Sequence, residues 1–120
     1  MYAINIKKAV KLNTNFRQVL QTGEHSQIVV MSLKPGEEIG SEIHPTSDQL
    51  LFFVDGTAKV TVDGDSATVG EHDMVAIPAG ARHNVQNISK DNLKLFTVYA
   101  PATHADGLVH ATKADAAADA

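Results

Sequence analysis

Turn-forming residues recur along this chain at short intervals, at Gly23, Pro35-Gly36, Gly40, Asp55-Gly56, Asp63-Gly64, Gly70, Pro78 and Gly80. Between them lie short runs that are β-branched and often alternate: QIVVMSL (27–33), QLLFFV (49–54), AKVTV (58–62), MVAI (74–77), HNVQNI (83–88) and LKLFTVY (93–99). Strands at regular spacing with turn signals between them read as an all-β sandwich or barrel. Val60 and Val62 on one side of Asp63-Gly64, with Ala67 and Val69 on the other, give the strongest short-range hairpin signal. The alternation of Tyr2, Ile4 and Ile6 predicts a further strand near the N-terminus. An edge strand there would invite pairing with a second subunit, so a homodimer is expected.

With 120 residues there is chain for one core and not for two. The expected organisation is an N-terminal segment 1–25 of strand character that forms the dimer, a barrel over 26–100, and a tail or lid over 101–120. That last segment holds His104 and His110 and ends rich in alanine. No apolar run approaches the roughly 20 residues needed to span a bilayer, and MYAINIKKAV lacks the pattern of a signal peptide. A cytoplasmic protein is the default reading. A formal charge of −4, with no Lys/Arg cluster beyond Lys7-Lys8, argues against nucleic acid or an anionic membrane as partner. A small-molecule substrate or another protein is favoured. The absence of cysteine removes disulfides, thiolate metal sites and a cysteine nucleophile together.

The chemistry gathers in GSEIHPTSDQLLFFVDG, residues 40–56. In extended chain, side chains two apart lie on one face, so Glu42 and His44 converge while Ile43 faces away. A carboxylate and an imidazole aimed at one point can hold a divalent metal. Gln49 can reach the same point if the polar loop 45–48 turns the chain back, and Asp48 competes with it. His83 is the natural fourth candidate, since it starts a strand after the tight turn at Ile77-Pro78-Ala79-Gly80. Glu42 and His44 also read as solvent-facing loop residues, as exposed glutamates usually are.

At these residues the chain resembles the cupin superfamily, among whose small single-domain members are the mannose-6-phosphate isomerase-like cupins. The first cupin motif runs Gly, five residues, His-x-His, three or four residues, Glu, six residues, Gly; here it spans Gly36, Glu42-x-His44, Gln49 and Gly56. The second, with Gly, Pro-x-Gly, His and Asn, is met by Gly70, Pro78, Gly80, His83 and Asn87. The resemblance covers about residues 26–100. It implies a double-stranded β-helix, the jelly-roll RmlC-like cupin barrel, with a divalent metal at its mouth. Carried over position by position, the ligand set is Glu42, His44, Gln49 and His83. The chain departs from the motif in two places: Glu42 stands where a first His is usual, and Gln49 where a Glu is usual.

Two imidazoles and one carboxylate suit one divalent transition metal per chain, Fe, Mn, Ni, Co or Zn. Such an ion would keep a formal charge of about +1 and polarise a ligand with adjacent oxygens. The expected activity is therefore that of an isomerase acting on a small hydroxy-carbonyl or sugar-like compound through enediolate chemistry. An Fe(II) dioxygenase and a non-catalytic binding or sensor protein are the alternatives. His104 is the candidate acid or base, carried by a lid, with a mobile polar tail as the plain alternative. Arg82, Phe53 and Tyr99 are candidate substrate contacts; for Arg82 a surface role, and for the two aromatic residues a place in the core, are the competing readings. His25 and His72 read as solvated turn residues, and Asn87 as a strand-fixing hydrogen-bonder.

Overall fold

Every apolar run bounded by turn residues is a strand. The computed structural model describes residues 1–119. Over these the chain runs α1 (Ile6–Leu12), β1 (Arg17–Thr22), β2 (Gln27–Leu33), β3 (Asp48–Asp55), β4 (Ala58–Val62), β5 (Asp65–Val69), β6 (Met74–Ile77), β7 (His83–Asn87), β8 (Leu93–Ala100), β9 (Val109–His110) and α2 (Lys113–Ala118). Six strands form one sheet in the order β6-β3-β8-β2-β1-β9, and β5-β4-β7 form the other. All pairs are antiparallel. The two sheets close over one apolar core as a jelly roll, the double-stranded β-helix.

The inward positions grade from apolar to polar along the strands. On β3, Phe53 and Leu51 are buried in the core while Gln49, two residues earlier on the same face, is a buried amide. On β8, Leu93 and Leu95 give way to Thr97 and Tyr99, and on β7, Val85 gives way to His83. Register brings these polar ends together, since Gln49 pairs with Tyr99. One end of the barrel is therefore a closed hydrophobic plug, and the other carries the functional groups.

Turn chemistry sets the pairing. At the β4–β5 hairpin, Asp63 (φ 48°) and Gly64 (φ 87°) both have positive φ, as a type I′ turn requires, and Val62 faces Asp65 across it. Asn87 fixes the far end of β7: its amide donates to Leu33 O at 3.0 Å and Asp91 O at 2.8 Å and its Oδ1 accepts from Ser89 N at 2.9 Å.

The N-terminal strand expected from Tyr2, Ile4 and Ile6 is not formed. Residues 1–5 carry no regular element and Ile6–Leu12 is a helix. Asn5 caps it by accepting from Lys8 N at 3.0 Å, and the positions turned inward, Ile6, Ala9, Val10 and Asn13, follow helical rather than strand spacing. Three alternating residues are outweighed by the cap and by burial of Val10. The strand of this region is β1, an integral member of the large sheet, so the barrel begins at Arg17 and not at residue 26. After β8 the chain returns to add β9 to the edge of β1, then forms α2, begun by a capping box between Thr112 and Asp115. Ala120, the end of the expected tail, lies outside the described residues.

Candidate metal centre

Glu42 and His83 lie directly opposite each other as a two-way backbone pair, with each N–H donating to the other's carbonyl at 2.9 Å. Opposed residues of an antiparallel pair project to the same face. His44, two residues beyond Glu42, shares that face and is anchored where its carbonyl accepts from Gly80 N at 2.9 Å. The tight turn before β7 and the 40–44 segment thus position each other's candidate ligands.

These side chains converge. One donor atom from each of Glu42, His44 and His83 lies within 4.8 Å of the others. The two imidazole centroids are 5.2 Å apart, and His44 Nε2 stands 3.1 Å from Glu42 Oε2. That contact has the distance of a hydrogen bond without its alignment, because His44 Nε2 is buried and unsatisfied, as are His83 Nε2 and Gln49 Oε1. Buried polar atoms are almost always paired, so these unpaired atoms need a partner. The tautomer of His83 supports a cation. His83 Nδ1 is 3.0 Å from Ala81 O, an acceptor, so Nδ1 carries the proton and Nε2 presents a lone pair. Thr97 Oγ1 donates to Leu50 O at 2.9 Å and must therefore accept from Gln49 Nε2 at 3.1 Å, which leaves Gln49 Oε1 as the open atom. The carboxylate of Glu42 and the imidazoles of His44 and His83 could hold a divalent metal, and Gln49 lies next to them through Tyr99.

Around this group lie Tyr99, His104 and Arg17. The Tyr99 ring meets His44 edge-on at 5.2 Å and His104 edge-on at 5.2 Å. Its hydroxyl accepts from Gln49 Nε2 at 3.2 Å and lies 3.4 Å from His104 Nε2. Burial, and after it the charge of Glu42, push the Tyr99 phenol well above its usual value. Burial, then the positive charge of Arg17, lower His104 to about 4. Tyr99 is therefore a protonated donor beside a neutral imidazole. For Glu42, burial acts to raise the carboxyl; contact with His44 and the charge of Arg17 lead the opposing effects and outweigh it, so the group stays below its ordinary value.

The segment after β8 lies against this end of the barrel. Gln27, fully buried, donates to His104 O at 2.8 Å and accepts from the Thr103 and His104 backbone N–H groups at 3.2 and 3.0 Å. That clamp puts His104 against Tyr99. Gln27 looks in sequence like the polar start of a strand, and nothing in the spacing signals its role.

The other predicted residues separate. Asp48 is exposed and fastens the turn by accepting from Ala79 N at 3.0 Å, whereas Gln49 is buried and donates to Thr97 and Tyr99. Phe53 is buried in the core. Arg82 is exposed, donating to Ser41 Oγ at 3.2 Å. His25 and His72 are in exposed turns. His110 sits on β9 opposite Arg17, its Nε2 2.9 Å from Asp119 Oδ2.

The arginine at the centre is Arg17, which sequence reading missed. It is 6% exposed and its Nη2 is 3.6 Å from Glu42 Oε1. Its signal in the sequence is faint: in RQVLQT it shares the inward phase of Val19, an unusual place for a charge. A cavity of about 210 Å³ between Phe16, Arg17, the 39–42 loop and α2 leads to Arg17 and Glu42. A larger depression of about 670 Å³ lies elsewhere, among Pro35, Asp55, Gly56 and Lys90. None of the unpaired buried atoms belongs to its lining; Arg17 and Glu42 line the smaller opening, His83 lines a cavity of about 480 Å³ with Ser41 and Arg82, and His44 one of about 180 Å³ with Ser47 and Thr103.

Comparison with known proteins agrees with this geometry. A family described as Cupin domain matches residues 29–99. The Bacillus subtilis (strain 168) protein YrkC is 42% identical over 98% of this chain and 66% of its own length, so the chain spans just under two thirds of that relative. Mannose-1-phosphate guanylyltransferase of Escherichia coli (strain K12) is 37% identical over 66% of this chain but only 16% of its own. Among solved structures, a protein from Bacillus halodurans superposes with a TM-score of 0.96 at 41% identity, covering 98% of this chain and 93% of that one. KdgF from Halomonas sp., at 18% identity and TM-score 0.68 over 72% of this chain and 78% of its own, shares the fold. Barrel, motif spacing and matched residues coincide, and the chain belongs to the cupin family.

Proposed function

We propose that this cupin is a metal-dependent enzyme that binds one divalent transition metal through Glu42, His44, Gln49 and His83 and acts on a small hydroxy-carbonyl or sugar-like compound. The observation that supports the reading is the convergence of Glu42, His44 and His83 within 4.8 Å, with buried, unpaired atoms on His44, His83 and Gln49. When bound, the ion supplies Lewis-acid polarisation of a substrate carbonyl. The chain's own residues do the rest. His104, neutral and half-buried, takes or returns a proton at Nε2, and the Tyr99 hydroxyl beside it orients that nitrogen. The 101–110 segment, held by Gln27, limits water at the site.

Exchange of a substrate C–H proton with solvent deuterium, followed by NMR across aldoses, ketoses and keto acids with metal-loaded protein, tests the isomerase reading. Exchange that disappears in His104→Gln with metal content retained supports it. Substrate-dependent oxygen uptake without exchange would replace it with a dioxygenase, and saturable binding without turnover with a sensor.

A further inference from the structure

Arg17 is a buried cation whose chemistry the metal centre does not use up. Its closest anionic contact, Glu42 Oε1, is at 3.6 Å, too long for a hydrogen bond. Its Nε is buried and unsatisfied. A buried N–H donor is costly unless paired. The guanidinium is held in place by the Phe16 ring, whose centroid is 5.4 Å from it, and by the β1 backbone.

Charge points the same way. A divalent ion against the single carboxylate of Glu42 leaves about one positive charge, and Arg17 adds a second. A ligand that chelates the ion as a mono-anion neutralises only the first. Lys113 lines the same cavity, so the approach is cationic as well. A planar oxyanion matches the guanidinium fork in a way that a hydroxyl or amide does not.

We propose that the substrate carries a carboxylate in addition to its metal-chelating oxygens, and that Arg17 binds it through the cavity beside α2. This rests on the metal-dependent reading above and narrows its substrate class to hydroxy- or oxo-compounds with a separate carboxylate.

Malate and lactate share the same hydroxy-acid chelate and differ by the second carboxylate. Isothermal titration of both into manganese-loaded wild type, Arg17→Gln and Arg17→Lys, with metal content measured on each sample, tests the assignment. Malate is expected to bind the wild type about tenfold more tightly than lactate or better, and the preference should fall to within about twofold in Arg17→Gln. Arg17→Lys keeps the charge without the fork and should be intermediate; it carries the test if Arg17→Gln does not fold. Equal binding of the two acids by the wild type, or the same preference in wild type and folded variants, overturns the assignment and leaves the metal centre standing. Failure of the wild type to take up metal overturns both.

Discussion

His104 is kept neutral by burial and by Arg17, with its pKa lowered to about 4, so folding and protonation are coupled at this residue. The unfolded chain takes up the imidazole proton as pH falls through its ordinary value near 6.5, and the folded chain resists until about 4. The contribution is fully present above pH 6.5 and is lost as pH falls toward 4. Discounted for partial exposure, it amounts to roughly 2 kcal/mol. Urea unfolding at pH 7 and pH 4.5 should show the wild type losing more stability than His104→Gln by about that margin, and equal losses would contradict the account. Legibility at this scale follows chain locality. Glu42, His44, Gln49 and His83 could be named because fixed spacing to turn residues ties each to a strand phase. Arg17 and Gln27 act across the fold, against Glu42 and the 103–104 backbone, and local spacing carries no trace of such partners.

Among the elements, the turns decide register, and two glycines separate their roles. Gly64 (φ 87°) has open space where a Cβ would stand, whereas at Gly56 (φ 93°) a Cβ would meet Leu93 Cα at 3.1 Å and Ser89 Oγ at 3.0 Å. Gly64→Ala should therefore cost about 1 kcal/mol from backbone strain alone. Gly56→Ala adds overpacking and should cost about 3 kcal/mol; thermal denaturation that ranked them equally or in reverse would contradict this. The clamp on the post-barrel segment is similarly testable. Gln27→Ala leaves part-buried backbone groups of Thr103 and His104 without their partner and should cost about 1 kcal/mol. Limited proteolysis should then cut within residues 101–110 first, and an unchanged digestion pattern would show that the segment is held by other contacts. The strands were legible because short alternating runs between turn residues have few other uses. Helix α1 was not, because its Tyr2-Ile4-Ile6 prelude imitates a strand and its evidence lies in a cap and in what Val10 packs against. Strand β1 was obscured by the charge at Arg17, which breaks the apolar pattern that marks its neighbours.

For the molecule as a whole, two closed sheets leave one polar mouth and a partly apolar exterior. Among the described residues no helix is long and apolar enough to cross a membrane. Phe52 and Phe96 stack at 4.6 Å on the outward, half-buried side of the large sheet, and Met74, Tyr2 and Ile4 are 53%, 44% and 45% exposed. We carry the homodimer forward on this surface, without the strand pairing that first suggested it; sedimentation equilibrium at tens of micromolar should return a dimer, and a monomer would remove it. The central claim concerns the mouth. Elemental analysis by mass spectrometry of tag-free protein purified without chelators, beside Glu42→Ala and His83→Ala, tests it most directly. The account predicts about one transition-metal ion per wild-type chain, lost in both variants while both remain folded by circular dichroism. A wild type that holds no metal and cannot be loaded, or variants that retain it in full, would contradict the metal centre and leave a barrel whose buried acceptor atoms have some other partner.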